Sequence, residues 1–279
     1  MSTLYLVATP IGNLEDISPR ALRILGEVSL IAAEDTRHSG KLLSHFGIQT
    51  KLTSFFDHNK RHKLDKVLAV LERSDVALIS DAGTPGLNDP GYLLVRTALD
   101  AGHTVSPIPG PSASLAALVT SGLPTDKFLY LGYLPRKSNE RLRFIETVAN
   151  LPYTLIFLES PHRLAAALQD LHTILGPRQA AVACELTKMY EDIQRASLDE
   201  LAARYLQGSA RGEYTLIVAG ASPKKERWSR DQLLTWLKEE MQTDSRPAKL
   251  ARQLAEDSGW PRREVYDLIT NLQSEAGDD

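Results

Sequence analysis

The stretch Val76-Ala77-Leu78-Ile79-Ser80-Asp81-Ala82-Gly83-Thr84-Pro85-Gly86-Leu87-Asn88-Asp89-Pro90-Gly91 decides the fold class. Its first four residues form a continuous apolar run of strand length, as expected for a strand buried on both faces. The glycines and prolines that follow cannot continue a strand and mark a tight loop. A helical pattern from about Tyr92 to Gly102 comes next, and then a second strand from Thr104 to Ile108. Strand, loop, helix, strand is the repeating unit of a mostly parallel sheet covered by helices.

The same alternation extends in both directions. Leu4 to Ala8 reads as a strand, and Ser18-Pro19 supplies an N-cap with proline at the first helical position before Ala21-Leu22 and Ile24-Leu25. Val28 to Ala33 is a further strand, and a helix from about Thr36 ends at Gly47. Leu64, Val67, Leu68 and Leu71 fall at helical spacing, and another helix runs from Ser112 to about Thr120. Residues 1–123 are thus expected to form an N-terminal α/β domain. Beyond Gly122-Leu123-Pro124, strands are expected at Phe128 to Tyr133, Thr154 to Leu158, Ala180 to Cys184 and Tyr214 to Ala219. Helices near Glu140 to Val148, Pro161 to Leu175 and Leu198 to Leu206 separate them, so residues 124–222 read as a second α/β domain. Residues 223–279 hold all three tryptophans and three short amphipathic helices, with a sharp turn at Ser258-Gly259-Trp260-Pro261, a small unit of helix-turn-helix size. Its tryptophans read as core, because small domains need large apolar side chains.

The chain has 279 residues, 43% hydrophobic and 24% charged, enough for more than one globular core. A formal net charge of −3 excludes binding to nucleic acid through one overwhelming basic field; a local patch would be needed. Cys184 is the single cysteine, which excludes an internal disulfide and a multi-cysteine zinc site. No apolar run approaches membrane-spanning length and the N-terminus has no signal-peptide pattern, so the cytoplasm is the expected compartment.

Ligands of open α/β sheets bind beyond the carboxyl ends of the strands. Three loops at such ends are rich in glycine or proline: Thr9-Pro10-Ile11-Gly12-Asn13-Leu14, Asp81 to Gly91, and Pro107-Ile108-Pro109-Gly110-Pro111-Ser112-Ala113. One loop of this kind reads as a tight turn, whereas three at corresponding ends point to a shared pocket. None contains Lys or Arg, and neither a P-loop nor a dinucleotide fingerprint is present, which disfavours a nucleoside triphosphate or NAD. Asp81 and Asp89 make the longest loop acidic, while Ser112 opens a helix whose first amides suit a small carboxylate. A ligand with a cationic centre, a carboxylate and a nucleoside fits, and S-adenosylmethionine has all three.

Six motifs in order carry a resemblance. They are Pro10-Ile11-Gly12-Asn13-Leu14; Ala33-Glu34-Asp35-Thr36-Arg37; Ser80-Asp81-Ala82-Gly83-Thr84-Pro85 with Asn88-Asp89-Pro90-Gly91; Pro109-Gly110-Pro111-Ser112-Ala113; Glu159-Ser160-Pro161-His162-Arg163-Leu164; and Glu185-Leu186-Thr187-Lys188. Together they closely resemble the bacterial 16S ribosomal RNA cytidine 2′-O-methyltransferase family, a branch of the tetrapyrrole-methylase superfamily. The resemblance implies a class III methyltransferase fold with two α/β domains and a small C-terminal helical domain. It also implies S-adenosylmethionine between the α/β domains, a homodimer, and methylation of a ribose in 16S rRNA of the assembled small ribosomal subunit. Carried over by position, it places the donor against Pro10, Ile11, Asp81, Ala82, Gly83, Thr84, Ser112 and Ala113, joined by Leu164, Leu186 and Tyr214. Lys60 and Arg211 depart from the family pattern, which has an acid and a lysine there.

Methyl transfer to a sugar hydroxyl needs in-line geometry, a dry pocket and a group to take the hydroxyl proton. Candidates are Glu34, Asp35, His58, Glu159, His162, Glu185 and Lys188, with Glu34, Asp35 and Lys188 foremost. Glu34 or Asp35 equally suits capping of the helix begun at Thr36, and one can cap while the other contacts RNA. His58 and His62 at i,i+4 read as a solvated helix face rather than a metal site, for want of a third ligand. Arg163 suits phosphate, and Arg37, His58, Glu159, His162 and Arg163 are taken as substrate contacts. Arg136, Lys137, Arg141 and Arg143 add local basic density, and Arg246, Lys249, Arg252, Arg262 and Arg263 suggest that the tail docks on rRNA. Rival expectations are a methylase of a tetrapyrrole or a modified protein residue on the same scaffold, or a ribosome-assembly factor without chemistry.

Overall fold

The computed structural model describes residues 2–55, 60–89, 91–206, 212–222, 228–240 and 246–275. The chain folds as two compact units, Met1–Ala221 and Ser222–Asp279. In the first, β1 (Thr3–Val7), α1 (Pro19–Glu27), β2 (Leu30–Ala33), α2 (Thr36–His45), β3 (Leu52–Ser54), α3 (Lys60–Leu71), β4 (Val76–Ile79), α4 (Gly91–Asp100) and β5 (Thr104–Ile108) alternate. All pairings among these strands are parallel, in the order β3-β2-β4-β1-β5. The residues of β2 and β4 are buried throughout, as expected of central strands covered on both sides. One face packs Val7, Ile31, Ala33, Ala77 and Ile79 against α1 and Leu43 of α2. The other packs Leu4, Leu30, Ala32, Val76 and Leu78 against Val67 and Leu71 of α3 and Leu94 and Ala98 of α4.

α5 (Ala113–Thr120) leads to the second sheet, built from β6 (Phe128–Tyr133), β7 (Thr154–Glu159), β8 (Gln179–Cys184), β9 (Asp192–Ser197) and β10 (Tyr214–Val218), with α6 (Ser138–Val148), α7 (Leu164–Leu175) and α8 (Leu198–Leu206) between them. This sheet is mixed, in the order β6-β7-β10-β8-β9: β6 and β7 are parallel and the other pairs antiparallel. Phe157, Leu164, Leu168, Leu171 and Leu201 centre the core on its helix-covered face. Its other face is covered by Ala117 and Leu118 of α5, so a helix reached from the first sheet roofs the second. The sequence-expected boundary near residue 123 falls in the turn after α5.

Ser18 caps α1 as expected, its hydroxyl accepting from the Ala21 amide at 3.1 Å. Two strands escape the sequence reading, β3 and β9, both at sheet edges. An edge strand takes its order from pairing with a neighbour, and neither segment carries an apolar alternation strong enough to announce it. α7 begins at Leu164 rather than Pro161, because Ser160 to Arg163 closes a turn through Arg163 N–H to Ser160 O at 3.1 Å.

The second unit contains α9 (Arg230–Glu240), α10 (Pro247–Ser258) and α11 (Arg262–Glu275). Leu233, Leu237, Leu250, Leu254, Val265 and Ile269 form its core, and all three tryptophans pack against it. Trp260 Nε1 donates to Trp228 O at 2.7 Å, which satisfies the indole as it is half-buried. Gly259 takes the left-handed conformation that ends α10.

Candidate functional site

The three glycine- and proline-rich loops follow β1, β4 and β5, and those strands are contiguous in the parallel sheet. Their carboxyl ends therefore share one edge, where the strand order reverses. Thr9 and Gly83 exchange backbone hydrogen bonds of 2.9 and 3.0 Å, tying the first loop to the second. Gly83 needs its freedom there, with φ at +79°. Thr84 Oγ1 donates to Pro111 O at 3.3 Å and ties the second loop to the third.

These loops open onto a cavity of about 310 Å³ whose far walls come from the second sheet. From the first sheet it receives Ile11, Glu34, Ser80 to Thr84, Leu87, Asn88 and Asp89, and from the start of α5 Ser112, Ala113 and Ser114. From the second it receives Tyr130, Tyr133, Leu158, Ala183, Glu185, Leu186, Lys188 and Glu213 to Thr215. Among the described residues its charged lining is five carboxylates, Glu34, Asp81, Asp89, Glu185 and Glu213, against the single amine of Lys188. Such a lining attracts a cation and repels a polyphosphate.

Glu34 and Asp35, adjacent in sequence, have separate tasks. Asp35 caps α2, its carboxylate accepting from Arg37 N at 2.8 Å and from the Arg37 guanidinium at 2.7 and 3.1 Å. That guanidinium holds the Asp35 pKa down at about 2. Glu34 lines the cavity, and its pKa is raised, first by burial and then by the charges of Asp81, Asp89 and Glu213, against a lowering hydrogen bond from the Asp81 amide. The Asp89 carboxylate accepts from Gly86 N and Gly91 N, both at 2.7 Å, and so shapes its own loop. Lys188 Nζ donates to Glu185 Oε1 at 2.8 Å, so the cavity's amine comes already paired.

The cavity wall is held under backbone strain on both sides. Asn88, Glu185 and Thr187 are the non-glycine residues with positive φ among the described residues, and the first two line the cavity. A Cβ on Gly132 would collide with Asn88, and one on Gly212 with Glu185. Gly12 likewise leaves no room for a Cβ against Lys188, Leu186 O and Thr187 Oγ1, so the loop after β1 and the loop after β8 meet through a glycine.

Of the sequence-expected donor contacts, Ile11, Asp81, Ala82, Gly83, Thr84, Ser112, Ala113, Leu186 and Tyr214 line this cavity, as do Glu34 and Lys188. Pro10, the neighbour of Ile11 in the loop after β1, is not among the lining residues. Leu164 is fully buried in the core under the second sheet and does not line the cavity. Of the expected substrate contacts, Arg37 is exposed and paired with Asp35, and His162 is exposed in the turn before α7. Glu159 is buried in an ion pair with Arg163 at 3.0 Å, which directs that guanidinium inward. His58 lies outside the described residues, as does Arg211. Sequence reasoning missed Tyr130 and Tyr133, which enter from β6, a strand with no glycine-rich loop to flag it. It also missed Glu213, although the preceding Gly212, at φ +83°, marks a tight approach. Among the described residues no cluster of metal-ligating side chains occurs, and no helix is long and apolar enough to cross a membrane.

A parallel sheet and a mixed sheet with an acid-lined cavity between them define a class III methyltransferase scaffold, and the comparisons agree. The profile of the tetrapyrrole (corrin/porphyrin) methylases matches residues 3–202, and the chain belongs to that family. It is 45% identical over 278 residues, 99% of this chain and 100% of the relative, to ribosomal RNA small subunit methyltransferase I of Synechocystis sp.. The protein of the same name from Escherichia coli O157:H7 is 46% identical over 97% of this chain and 95% of its own length. Among solved structures, diphthine synthase matches with a TM-score of 0.62 at 15% identity, over 78% of this chain and 90% of that one. Uroporphyrin-III C-methyltransferase from Thermus thermophilus, complexed with S-adenyl homocysteine, matches with a TM-score of 0.56 at 20% identity, over 78% and 97%. These distant matches establish the fold.

Proposed function

We propose that this chain transfers a methyl group from S-adenosylmethionine to the 2′-hydroxyl of a cytidine ribose in 16S rRNA, acting as a homodimer on the assembled small subunit in the cytoplasm. The observation that carries the reading is the cavity lining of five carboxylates and one paired lysine, in a chain 45% identical over its whole length to a named rRNA methyltransferase.

The residues present fit the donor. Asp81 and Glu34 offer negative charge for a sulfonium, and the backbone of Ala82, Gly83 and Thr84 is open to close approach at a glycine with positive φ. Ser112 makes no capping hydrogen bond, which leaves its hydroxyl and the first amides of α5 for a carboxylate. Ile11, Leu186 and Tyr214 supply apolar contact for the nucleoside. When bound, S-adenosylmethionine supplies an electrophilic methyl group on a positively charged sulfur.

The rest is the work of the chain. Glu34 Oε2 is engaged by the Asp81 amide at 3.3 Å, and we assign Oε1 as the acceptor of the ribose hydroxyl proton. Its raised pKa brings the carboxylate closer to the working pH, which strengthens it as a base. Lys188, held by Glu185, is a cation that orients the acceptor rather than taking a proton. Tyr130 and Tyr133 wall the acceptor side and help to exclude water.

Mapping 2′-O-methyl groups on rRNA from cells with and without this protein tests the reading, and loss of one methylated cytidine is expected. Calorimetry with S-adenosylmethionine tests the donor, with binding by wild type and at least tenfold weaker binding by Asp81→Asn expected. Methyl transfer to a porphyrinogen and none to undermodified subunits would replace this reading with the tetrapyrrole alternative. Subunit binding without methyl transfer would replace it with the assembly-factor alternative.

A further inference from the structure

The turn between β6 and α6 is braced from beneath by two arginines, Arg141 buried and Arg163 partly buried. Arg163 donates from one terminal nitrogen to Leu134 O at 2.6 Å and Pro135 O at 3.2 Å while pairing with Glu159. Arg141, its side chain 5% exposed, donates to Pro135 O at 3.3 Å and Arg136 O at 3.2 Å while pairing with Asp170 at 2.5 Å. Ser138 Oγ adds a bond to the same Asp170 carboxylate at 3.0 Å. Three consecutive carbonyls of a surface turn are thus held by guanidinium groups whose own charges are neutralised from below. Backbone of this kind ordinarily turns to water, so the arrangement sets the turn's position with unusual rigidity.

What the turn presents is cationic. Arg136 and Lys137 are exposed, and Arg143 is exposed on the helix that follows. Lys137 is 81% exposed and only loosely committed to Glu140 at 3.1 Å. The turn begins directly after Leu134, which follows the cavity-wall residue Tyr133. A cavity with five carboxylates repels a polyanionic strand, so a strand that delivers one sugar to it needs fixed positive charge beside the entrance.

We infer that the Pro135-Arg136-Lys137 turn is a phosphate-gripping element for the substrate strand, with Arg136 contacting the ribose-phosphate backbone and Arg163 and Arg141 beneath it acting as positioning residues. This rests on the rRNA reading above. It moves the phosphate contact from Arg163, whose terminal nitrogen is committed to protein oxygens, to the exposed arginine that it supports. The turn contributes position as well as charge, because the grip works only at one distance from the cavity mouth.

The test uses the full chain with S-adenosylmethionine and undermodified small subunits, comparing wild type with Arg136→Gln, Arg136→Lys and Arg163→Lys over about 50–200 mM salt. Arg136→Gln is expected to raise KM for subunits about tenfold with kcat within about twofold, and to make the log–log salt dependence shallower by about one. Arg136→Lys is expected to keep the salt slope. Arg163→Lys retains charge but carries its nitrogen on a shorter, flexible stem that does not hold Leu134 O, Pro135 O and Glu159 together, and it is expected to raise KM as Arg136→Gln does, with donor affinity by calorimetry unchanged. The surface variant alone decides the matter if Arg163→Lys does not fold. Wild-type KM and salt slope in Arg136→Gln would overturn the inference and leave the rRNA reading standing. Absence of methyl transfer to subunits by wild type would overturn both.

Discussion

Glu34 and Asp81 are joined across the carboxyl ends of neighbouring strands: Asp81 N–H donates to Glu34 Oε2 at 3.3 Å, while the Asp81 carboxylate accepts from the next amide, Asp35 N–H, at 3.0 Å. Two of the acids that line the cavity are thereby held side by side. Burial and the neighbouring carboxylates raise the Glu34 pKa, so ionising this carboxyl costs more in the folded chain than in the unfolded one.

The linkage has a definite sign. A raised carboxyl pKa contributes stability below the unfolded value that is lost as pH rises through the folded value. Glu34→Gln is therefore expected to melt higher than wild type near pH 8, with the advantage vanishing by about pH 4, in thermal scans across that range. Its kcat is expected to fall by about 10²-fold or more and to lose the wild-type rise with pH. A pH–rate profile for Glu34→Gln that parallels wild type would reject Glu34 as the base.

Gly12 meets the loop after β8 without room for a side chain. Gly12→Ala is expected to displace Leu186 and Lys188 from the cavity and to weaken donor binding about tenfold, with folding retained. Part of the clash falls on the flexible Lys188 stem, but backbone Leu186 O stands 3.0 Å from the added carbon. Calorimetry beside a melting curve separates the two effects.

Leu164 is fully buried in the core beneath the second sheet. Leu164→Ala is expected to cost about 2–5 kcal/mol of unfolding free energy, as large-to-small core changes do. The folded fraction is expected to bind the donor with wild-type affinity. A selective loss of donor affinity at unchanged stability would return Leu164 to the donor site.

Arg141 and Asp170 form a largely buried pair. Asp170→Ala leaves a buried guanidinium without its counter-charge, and a loss of about 3–5 kcal/mol is expected in denaturant unfolding. Asp170→Asn is expected to be milder, since its amide oxygen still accepts from the guanidinium.

The second unit has its own core. A chain ending at Ser222 is expected to keep donor affinity and the first unit's melting temperature. Its KM for subunits is expected to rise, because Arg246, Lys249, Arg252, Arg262 and Arg263 are exposed on the removed unit. Unchanged KM would dismiss the tail as an rRNA contact.

Much of this was readable in the chain because local chemistry and tertiary position agree. The runs of β2 and β4 are uniformly apolar since both strands are central, and the loops after β1, β4 and β5 advertise themselves through glycine and proline. Glu34 and Asp35 illustrate the limit. Both follow the end of β2, and only the backbone direction decides that one caps a helix while the other faces the cavity. Arg163 looked like a phosphate ligand because nothing in a linear pattern reveals Glu159, four residues earlier, buried beneath it. Tyr130 and Tyr133 went unnoticed for a related reason: aromatic residues on a strand read as core until the cavity shows otherwise.

The mutual bridge of Thr9 and Gly83 has a consequence for how such proteins diversify. It joins the loops after β1 and β4 through main-chain bonds, which do not depend on the side chains those loops carry. Side chains on the facing wall can then be exchanged while the frame shared by these two loops stays in place.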